Sequence, residues 1–210
     1  FGIIVQARMS STRLPGKALL KIGTKPVILQ ILDRFACQFG KNCTFLSTST
    51  NLKDNLIVSL AESHGYKVFR NDEDDLAKRF LEIINEEKLD YFVRVTGDDL
   101  FRNLRSILPM YKKMLEESLD YIFADDLILG CNSEIISKDA IKFIYEFAKF
   151  REHTNDLTFY LDRPSIFKFI EFKNNLTSPR LPISLMLDEE EDYKSISSLW
   201  NLNESFFSSN

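Results

Sequence analysis

Short apolar, β-branched runs alternate along this chain with longer stretches in which apolar residues recur every three or four positions. The runs at 2–6, 43–47, 67–70, 91–95, 121–124, 165–171 and 182–187 predict strands. Between them, Val27, Ile28, Ile31, Leu32 and Phe35 fall on one face of a helix, as do Leu56, Val58, Leu60 and Ala61. Leu76, Phe80, Ile83 and Ile84 form a third apolar face, and Ile107, Leu108, Tyr111 and Leu115 a fourth. Strand and helix in alternation predict an α/β fold, a doubly wound and mainly parallel sheet with helices on both faces. A helix over 73–88 is expected, capped by Asn71, with Glu73, Asp74 and Asp75 in a first turn where the helix dipole favours acid. Beyond about residue 125 the alternation becomes irregular, and 125–137 and 174–181 read as excursions that cover a pocket or build a dimer contact. With no repeat, low-complexity tract or Gly/Ser linker, one domain is expected over 1–204, followed by a short tail at 205–210.

Composition narrows the class. A chain of 210 residues, 44% hydrophobic and 28% charged, can bury a sizeable core and is not of disordered type. Its net charge of −4 argues against general nucleic-acid or acidic-membrane binding, which favours a basic surface. No apolar run nears the ~20 residues of a membrane span, and no charged-then-apolar secretory leader is expected within the chain. Cys37, Cys43 and Cys131 show no metal-type spacing and cannot all pair, so buried free thiols in a reducing, cytoplasmic setting are expected. His64 and His153 are the only histidines, which excludes a multi-histidine metal site.

Positive charge is concentrated after the first strand. Residues 7–17 hold Arg8, Arg13 and Lys17, the hydroxyls of Ser10, Ser11 and Thr12, and a Pro15-Gly16 turn. Guanidinium forks bind phosphate bidentately, an ammonium adds a movable point charge, and turn residues let backbone N–H groups approach oxygen. The loop therefore suits a nucleoside triphosphate; a solvated basic loop is the plainer alternative. Gly16-Lys17 matches the end of the phosphate loop G-x-x-x-x-G-K-[ST], but Ser11 stands at its first glycine and Ala18 at its metal-binding hydroxyl, which excludes that mechanism.

Two carboxylates complete the candidate site. Val93-Arg94-Val95-Thr96-Gly97 leads into Asp98-Asp99 at a strand end, where ligands of open α/β sheets collect. Ile183 to Leu187 leads likewise into Asp188 and the acidic run ending at Asp192. Hard oxygen ligands beside phosphate imply Mg²⁺ held by Asp98 and Asp188; an Asx turn or helix cap and an acidic first turn are the respective structural alternatives. Asp125-Asp126 reads as a polar turn, Arg151-Glu152-His153 as a helix start, and Phe143, Tyr145, Phe147 and Phe150 as core or a dimer face.

These residues carry a resemblance. The run from Gln6 to Lys17 resembles the N-terminal signature of cytidylyltransferases that activate acidic sugars. It is most similar to the spore-coat-polysaccharide (SpsF-like) branch, related to 3-deoxy-manno-octulosonate and acylneuraminate cytidylyltransferases. Glu73-Asp74-Asp75 with Arg79, then Thr96-Gly97-Asp98, Arg151-Glu152-His153 and Asp188 through Asp192 resemble later family segments in the same order. The resemblance implies a three-layer Rossmann-like sheet of the nucleotide-diphospho-sugar transferase (glycosyltransferase A-like) architecture. It also implies transfer of CMP from CTP to a sugar acid with release of pyrophosphate, for surface polysaccharide, in a cytoplasmic homodimer. By matching positions, Ala7, Arg8, Ser11, Arg13, Lys17 and Arg79 would bind nucleotide, Arg8, Lys17 and Asp98 would carry catalysis, and Asp98 and Asp188 would hold Mg²⁺.

Three departures stand out. Leu100-Phe101 replaces a usual proline, Glu189-Glu190 replaces Thr-Pro, and Asn132 stands where the family often has aspartate, on the side expected to recognise the acceptor. A sugar transferase using the same sheet and a non-catalytic nucleotide-binding paralogue are the competing readings. The first would be expected to carry an Asp-x-Asp metal motif, whose spacing Asp98-Asp99 lacks.

Overall fold

The computed structural model describes residues 1–124, 128–147, 157–173 and 184–202. In chain order its strands are β1 (Gly2–Gln6), β2 (Lys21–Ile22), β3 (Lys25–Pro26), β4 (Thr44–Ser49), β5 (Lys67–Asn71), β6 (Tyr91–Thr96), β7 (Tyr121–Ala124), β8 (Ser133–Ser137) and β9 (Phe169–Glu171). The helices are α1 (Val27–Phe39), α2 (Asn55–Ser63), α3 (Leu76–Glu86), α4 (Ile107–Glu117), α5 (Lys138–Phe147), the single turn α6 (Thr158–Leu161) and α7 (Glu190–Leu202). Apart from the small β2–β3 hairpin, the strands form one sheet in the order β5-β4-β1-β6-β8-β7-β9.

The expected fold class holds. β5, β4, β1 and β6 run parallel, while β8 lies antiparallel between β6 and β7, and β7 is parallel to β9. Strands buried on both faces need apolar residues at every position, which is why β1 reads as a continuous run and not as an alternation. Ile3 and Val5 face a core built with α1, α2, α4 and α7, and Ile4 faces a second core built with α3, α5 and α6. Gln6 is registered against Thr96 on one side and Ser47 on the other, so β1 and β6 end together while β4 runs two residues further, to Ser49.

Several boundaries differ from the sequence reading. Helix α3 begins at Leu76, capped by Asp75, whose Oδ1 accepts a hydrogen bond from Lys78 N at 3.0 Å. Asn71 closes β5 instead, and Asp72 accepts from Asp74 N at 2.9 Å, which holds the linking residues outside the helix. β8 was not expected, since its two central isoleucines are flanked by Ser133, Glu134 and Ser137. Of the strand expected over 165–171 only Phe169–Glu171 pairs, and within 184–187 only Ser184 makes a bridge, to Leu129. Cys37 is exposed and not buried, and no disulfide joins the three cysteines. Phe143, Tyr145 and Phe147 are not core; Ala140, Ile141 and Ile144 fill that role on α5. Asp125, Asp126, Phe150, Arg151, Glu152, His153 and the 205–210 tail lie outside the described residues. Among the described residues no helix is long and apolar enough to cross a membrane.

Candidate active site

A cleft of about 510 Å³ opens above the ends of β1 and β6, and Ala7, Arg8, Ser11, Arg13, Lys17, Arg79, Asp98 and Asp188 all line it. Its floor is the loop between β1 and Lys17, and backbone bonds fix that loop's shape. Ala7 N donates to Ser47 O at 3.0 Å, and Gly16 N returns to Met9 O at 3.2 Å, closing the loop on itself. Gly16 adopts the left-handed conformation (φ +73°), which costs glycine nothing and turns the chain into a short 3₁₀ helix at Lys17–Leu19. Ser11 Oγ accepts from Leu14 N at 3.3 Å, so this hydroxyl shapes the turn as well as facing the cleft.

Lys17 holds the centre. Its ammonium donates to Asp98 Oδ2 at 2.5 Å, Asp188 Oδ1 at 2.9 Å and Leu187 O at 3.0 Å, one partner for each of its three donors. Burial pushes the Asp98 carboxyl up, but the Lys17 charge and hydrogen bond and the Thr96 hydroxyl outweigh it, so Asp98 titrates below the usual aspartate range. The other carboxylate oxygen of Asp188 pairs with Arg13 Nη2 at 2.9 Å. The two structural alternatives fall on neighbours. Asp99 accepts from Thr96 N at 3.0 Å and binds Arg102, both side chains being buried. Asp192 folds back to accept from Asp188 N at 3.0 Å and Glu189 N at 2.8 Å. Asp98 and Asp188 are thereby left to face Lys17.

Other cations stand around this centre. Arg8 is largely exposed and lies 3.3 Å from Glu73, which also accepts from Ser10 Oγ at 2.5 Å. That hydroxyl is the largest influence and, with Asn51 and Arg8, keeps the Glu73 carboxyl low against the opposing effect of burial. Arg79, on α3, is only 6% exposed, and its Nε has no hydrogen-bond partner. Burial first, and the nearby Arg8 charge second, press its guanidinium's pKa down. The charges of Asp54, Glu73 and Asp72 offset part of this, and a buried cation with an unused donor on a cleft wall favours an anion.

Sequence reasoning missed the opposite wall. Arg94 Nε lies 3.1 Å from Glu134 Oε1, and Glu134 Oε2 accepts from Tyr121 Oη at 3.0 Å. Burial and Glu134 push that phenol far up from its ordinary value. Arg102 Nη1 donates to Arg94 O at 2.6 Å. Of this wall only Asn132 was singled out in the sequence, as a departure on the acceptor side; the further signal was a charge, Arg94, inside an otherwise apolar strand. Arg102, Asn132 and Glu134 also line a side pocket of about 240 Å³ with Tyr121, Phe123 and Asp162.

A divalent metal fits the donor set. Asp98, Asp188 and the Leu187 carbonyl offer hard oxygens, and a cation already sits among them in the form of the Lys17 ammonium. Among the described residues no cluster of three or more acidic, His or Cys side chains could cage a metal. Two carboxylates completed by substrate phosphate oxygens are the usual arrangement for Mg²⁺.

Comparison with known proteins identifies the family. An uncharacterised protein of Methanocaldococcus jannaschii is 31% identical over 91% of this chain and 79% of its own length. The spore coat polysaccharide biosynthesis protein SpsF of Bacillus subtilis is 27% identical over 94% of this chain and 85% of its own. The solved structure of a cytidylyltransferase from Leptospira borgpetersenii superposes with a TM-score of 0.87 at 25% identity, covering 96% of this chain and 86% of that one. The family profile described as cytidylyltransferase matches residues 2–209, and the chain belongs to that family of nucleotidyltransferases.

Proposed function

We propose that this chain transfers CMP from CTP to a hydroxyl of a sugar acid, releasing pyrophosphate, in cytoplasmic synthesis of a surface polysaccharide. The observation that carries the reading is the junction of Lys17 with Asp98 and Asp188 at the mouth of a loop bearing Arg8 and Arg13. Arg8, Arg13 and Lys17 would bind the triphosphate, assisted by Ser11 and the amides near Ala7, and Arg79 would supply a further contact to the nucleotide. Lys17 and Arg13 are held by carboxylates in the free protein, so nucleotide binding exchanges carboxylate partners for phosphate oxygens.

Asp98 and Asp188 would hold Mg²⁺, whose chemistry is to neutralise charge at the α-phosphate and lower the acceptor hydroxyl's pKa. The hydroxyl oxygen forms a bond to the α-phosphorus, the bond to the bridging oxygen breaks, and pyrophosphate leaves while the hydroxyl proton passes to solvent. Arg8 and Lys17 stabilise charge on the departing phosphates. The side pocket flanked by Arg102, Asn132 and Glu134 suits the acceptor, and Asn132 alters what that pocket can accept. The sugar-transferase reading loses ground because Asp99, beside Asp98, is committed to Thr96 and Arg102. The exposed Phe143, Tyr145 and Phe147 on α5 favour a homodimer.

The test is pyrophosphate release with Mg²⁺, each of the four ribonucleoside triphosphates, and a panel of acidic sugars. Release with CTP and one sugar is expected. No release together with no CTP binding would end the reading; CTP binding without release across a complete panel would favour the non-catalytic paralogue.

A further inference from the structure

The phosphate-facing loop has an anchor that does not line the cleft. Asp54, in the turn ahead of α2, is 1% exposed and its carboxylate accepts four hydrogen bonds. Three come from the end of β4: Thr48 Oγ1 at 2.9 Å, Ser49 N at 3.2 Å and Ser49 Oγ at 2.5 Å, all on Oδ2. The fourth reaches back along the chain to Met9 N, which donates to Oδ1 at 2.7 Å. A buried carboxylate is tolerable only when its lone pairs are used, and this one is held rigidly by its own strand end. It therefore behaves as a fixed point for whatever else binds to it.

What binds to it is the closure of the loop. Met9 uses both of its backbone groups: its N–H goes to Asp54, and its carbonyl accepts Gly16 N at 3.2 Å. Gly16 is the left-handed residue that hands the chain to Lys17. A continuous path thus runs from Asp54 through Met9 and Gly16 to the ammonium between Asp98 and Asp188. On the solvent side Glu73 grips the neighbouring Ser10 and Arg8, so the loop is held from two directions.

We propose that Asp54 is a positioning residue, pre-forming the 8–17 loop so that Lys17 and the loop amides meet a triphosphate without reorganisation. The inference rests on the nucleotide reading of the cleft. Preorganisation of this kind appears as affinity, because a loop already in its bound shape loses little entropy on binding.

The experiment compares Asp54→Asn with the wild-type chain and with Ile57→Ala. Ile57 is fully buried on α2 and does not line the cleft, so Ile57→Ala serves as a stability control. The readouts are Tm, CTP affinity by calorimetry without acceptor, and the KM of the acceptor. The expected result is an increase of about tenfold in the CTP Kd for Asp54→Asn, one charge-assisted bond's worth, with the acceptor KM unchanged. Ile57→Ala, at a similar loss of Tm, should leave the CTP Kd within about twofold of wild type. Equal effects of the two variants on CTP affinity, or an Asp54→Asn variant that binds CTP like wild type, would overturn the proposal.

A measurement on the wild-type chain decides the matter if Asp54→Asn does not fold. Amide exchange should find the Met9 N–H protected in the nucleotide-free protein, and exchange at the rate of an open loop would overturn the clamp. Failure of the wild type to bind CTP would instead strike the nucleotide reading, and the Met9 amide would still report on Asp54.

Discussion

Replacing Lys17 by Met should move two affinities in opposite directions. The substitution keeps an apolar stem of similar length and removes one charge from a site where Nζ lies 2.5 Å from Asp98 and 2.9 Å from Asp188. A hydrogen bond to a charged group contributes about 1.5–3 kcal/mol, so losing the Lys17 contact should raise the Kd for metal-free CTP about 10- to 150-fold. A divalent cation arriving without nucleotide meets the opposite situation. In the wild type it must displace an ammonium from both carboxylates; in Lys17→Met only the Arg13 pair of Asp188 and the Thr96 hydroxyl on Asp98 remain. By the same range, Mn²⁺ affinity without nucleotide should rise by about tenfold or more. Calorimetry with CTP in chelator and electron paramagnetic titration with Mn²⁺ measure the two quantities separately. Unchanged CTP affinity together with unchanged or weaker Mn²⁺ binding would refute the view that Lys17 stands in for the metal.

The same variant has a pH signature. Asp98 in the wild type titrates below its ordinary 3.8 because Lys17 and Thr96 outweigh burial. A carboxylate with a depressed folded pKa contributes stability that is present above about 3.8 and is lost as pH falls through the folded value. In Lys17→Met the two lowering contributions of Lys17 are gone and burial remains, so the Asp98 pKa rises. The difference in Tm between wild type and variant should therefore be fully developed at neutral pH and narrow below about pH 4. A difference independent of pH down to acid unfolding would show that the lost stability came from packing of the lysine stem.

Three further perturbations test separate parts of the site. Asp98→Asn should keep the fold, with Tm within a few degrees of wild type, and abolish both Mn²⁺ binding and pyrophosphate release; an unfolded variant would restore the turn-cap reading. Arg79→Met removes a buried cation whose Nε has no partner, so thermal melts should show equal or higher stability while CTP affinity falls; loss of stability with intact CTP binding would reverse the assignment. Gly130→Ala should destabilise by about 1–3 kcal/mol and depress turnover, since φ is +92° and an added Cβ would lie 2.7 Å from Met186 N, in the segment leading to Asp188; a wild-type denaturation midpoint would exclude that close approach.

How much of this was legible in the sequence depended on whether the information was local. The β1 run, the 7–17 loop and the strand-to-acid junctions at Asp98 and Asp188 are contiguous patterns, and the residues they nominated line one cleft. The start of α3 was not recoverable because four of the five residues from Asn71 to Asp75, all but Glu73, can cap a helix. The choice among them is made at long range: Glu73 is taken by Ser10 and Arg8, and Asp75 is left to cap. The run ending at Leu187 resembled a strand, yet of residues 184–187 only Leu187 is buried, and the segment works as a strap that delivers Asp188. Asp54 carried no signal of its own, since its meaning lies in a bond to Met9, 45 residues earlier.

The distribution of charge in the free protein explains why such a site can be stable before its ligand arrives. Like charges gathered for a triphosphate and carboxylates gathered for a metal would each repel if left alone, and together they neutralise one another across Lys17 and Arg13. Ligand binding then replaces one set of ion pairs by another and creates few new ones, so net affinity reflects the difference between them. Arg79 differs: Arg94 and Arg102 also leave Nε without a hydrogen bond but are ion-paired with Glu134 and Asp99, whereas Arg79, buried on α3, makes no ion pair among the described residues. An anion that reaches it breaks no pair, and for that reason Arg79 should contribute more to nucleotide affinity, per charge, than the self-paired cations of the loop.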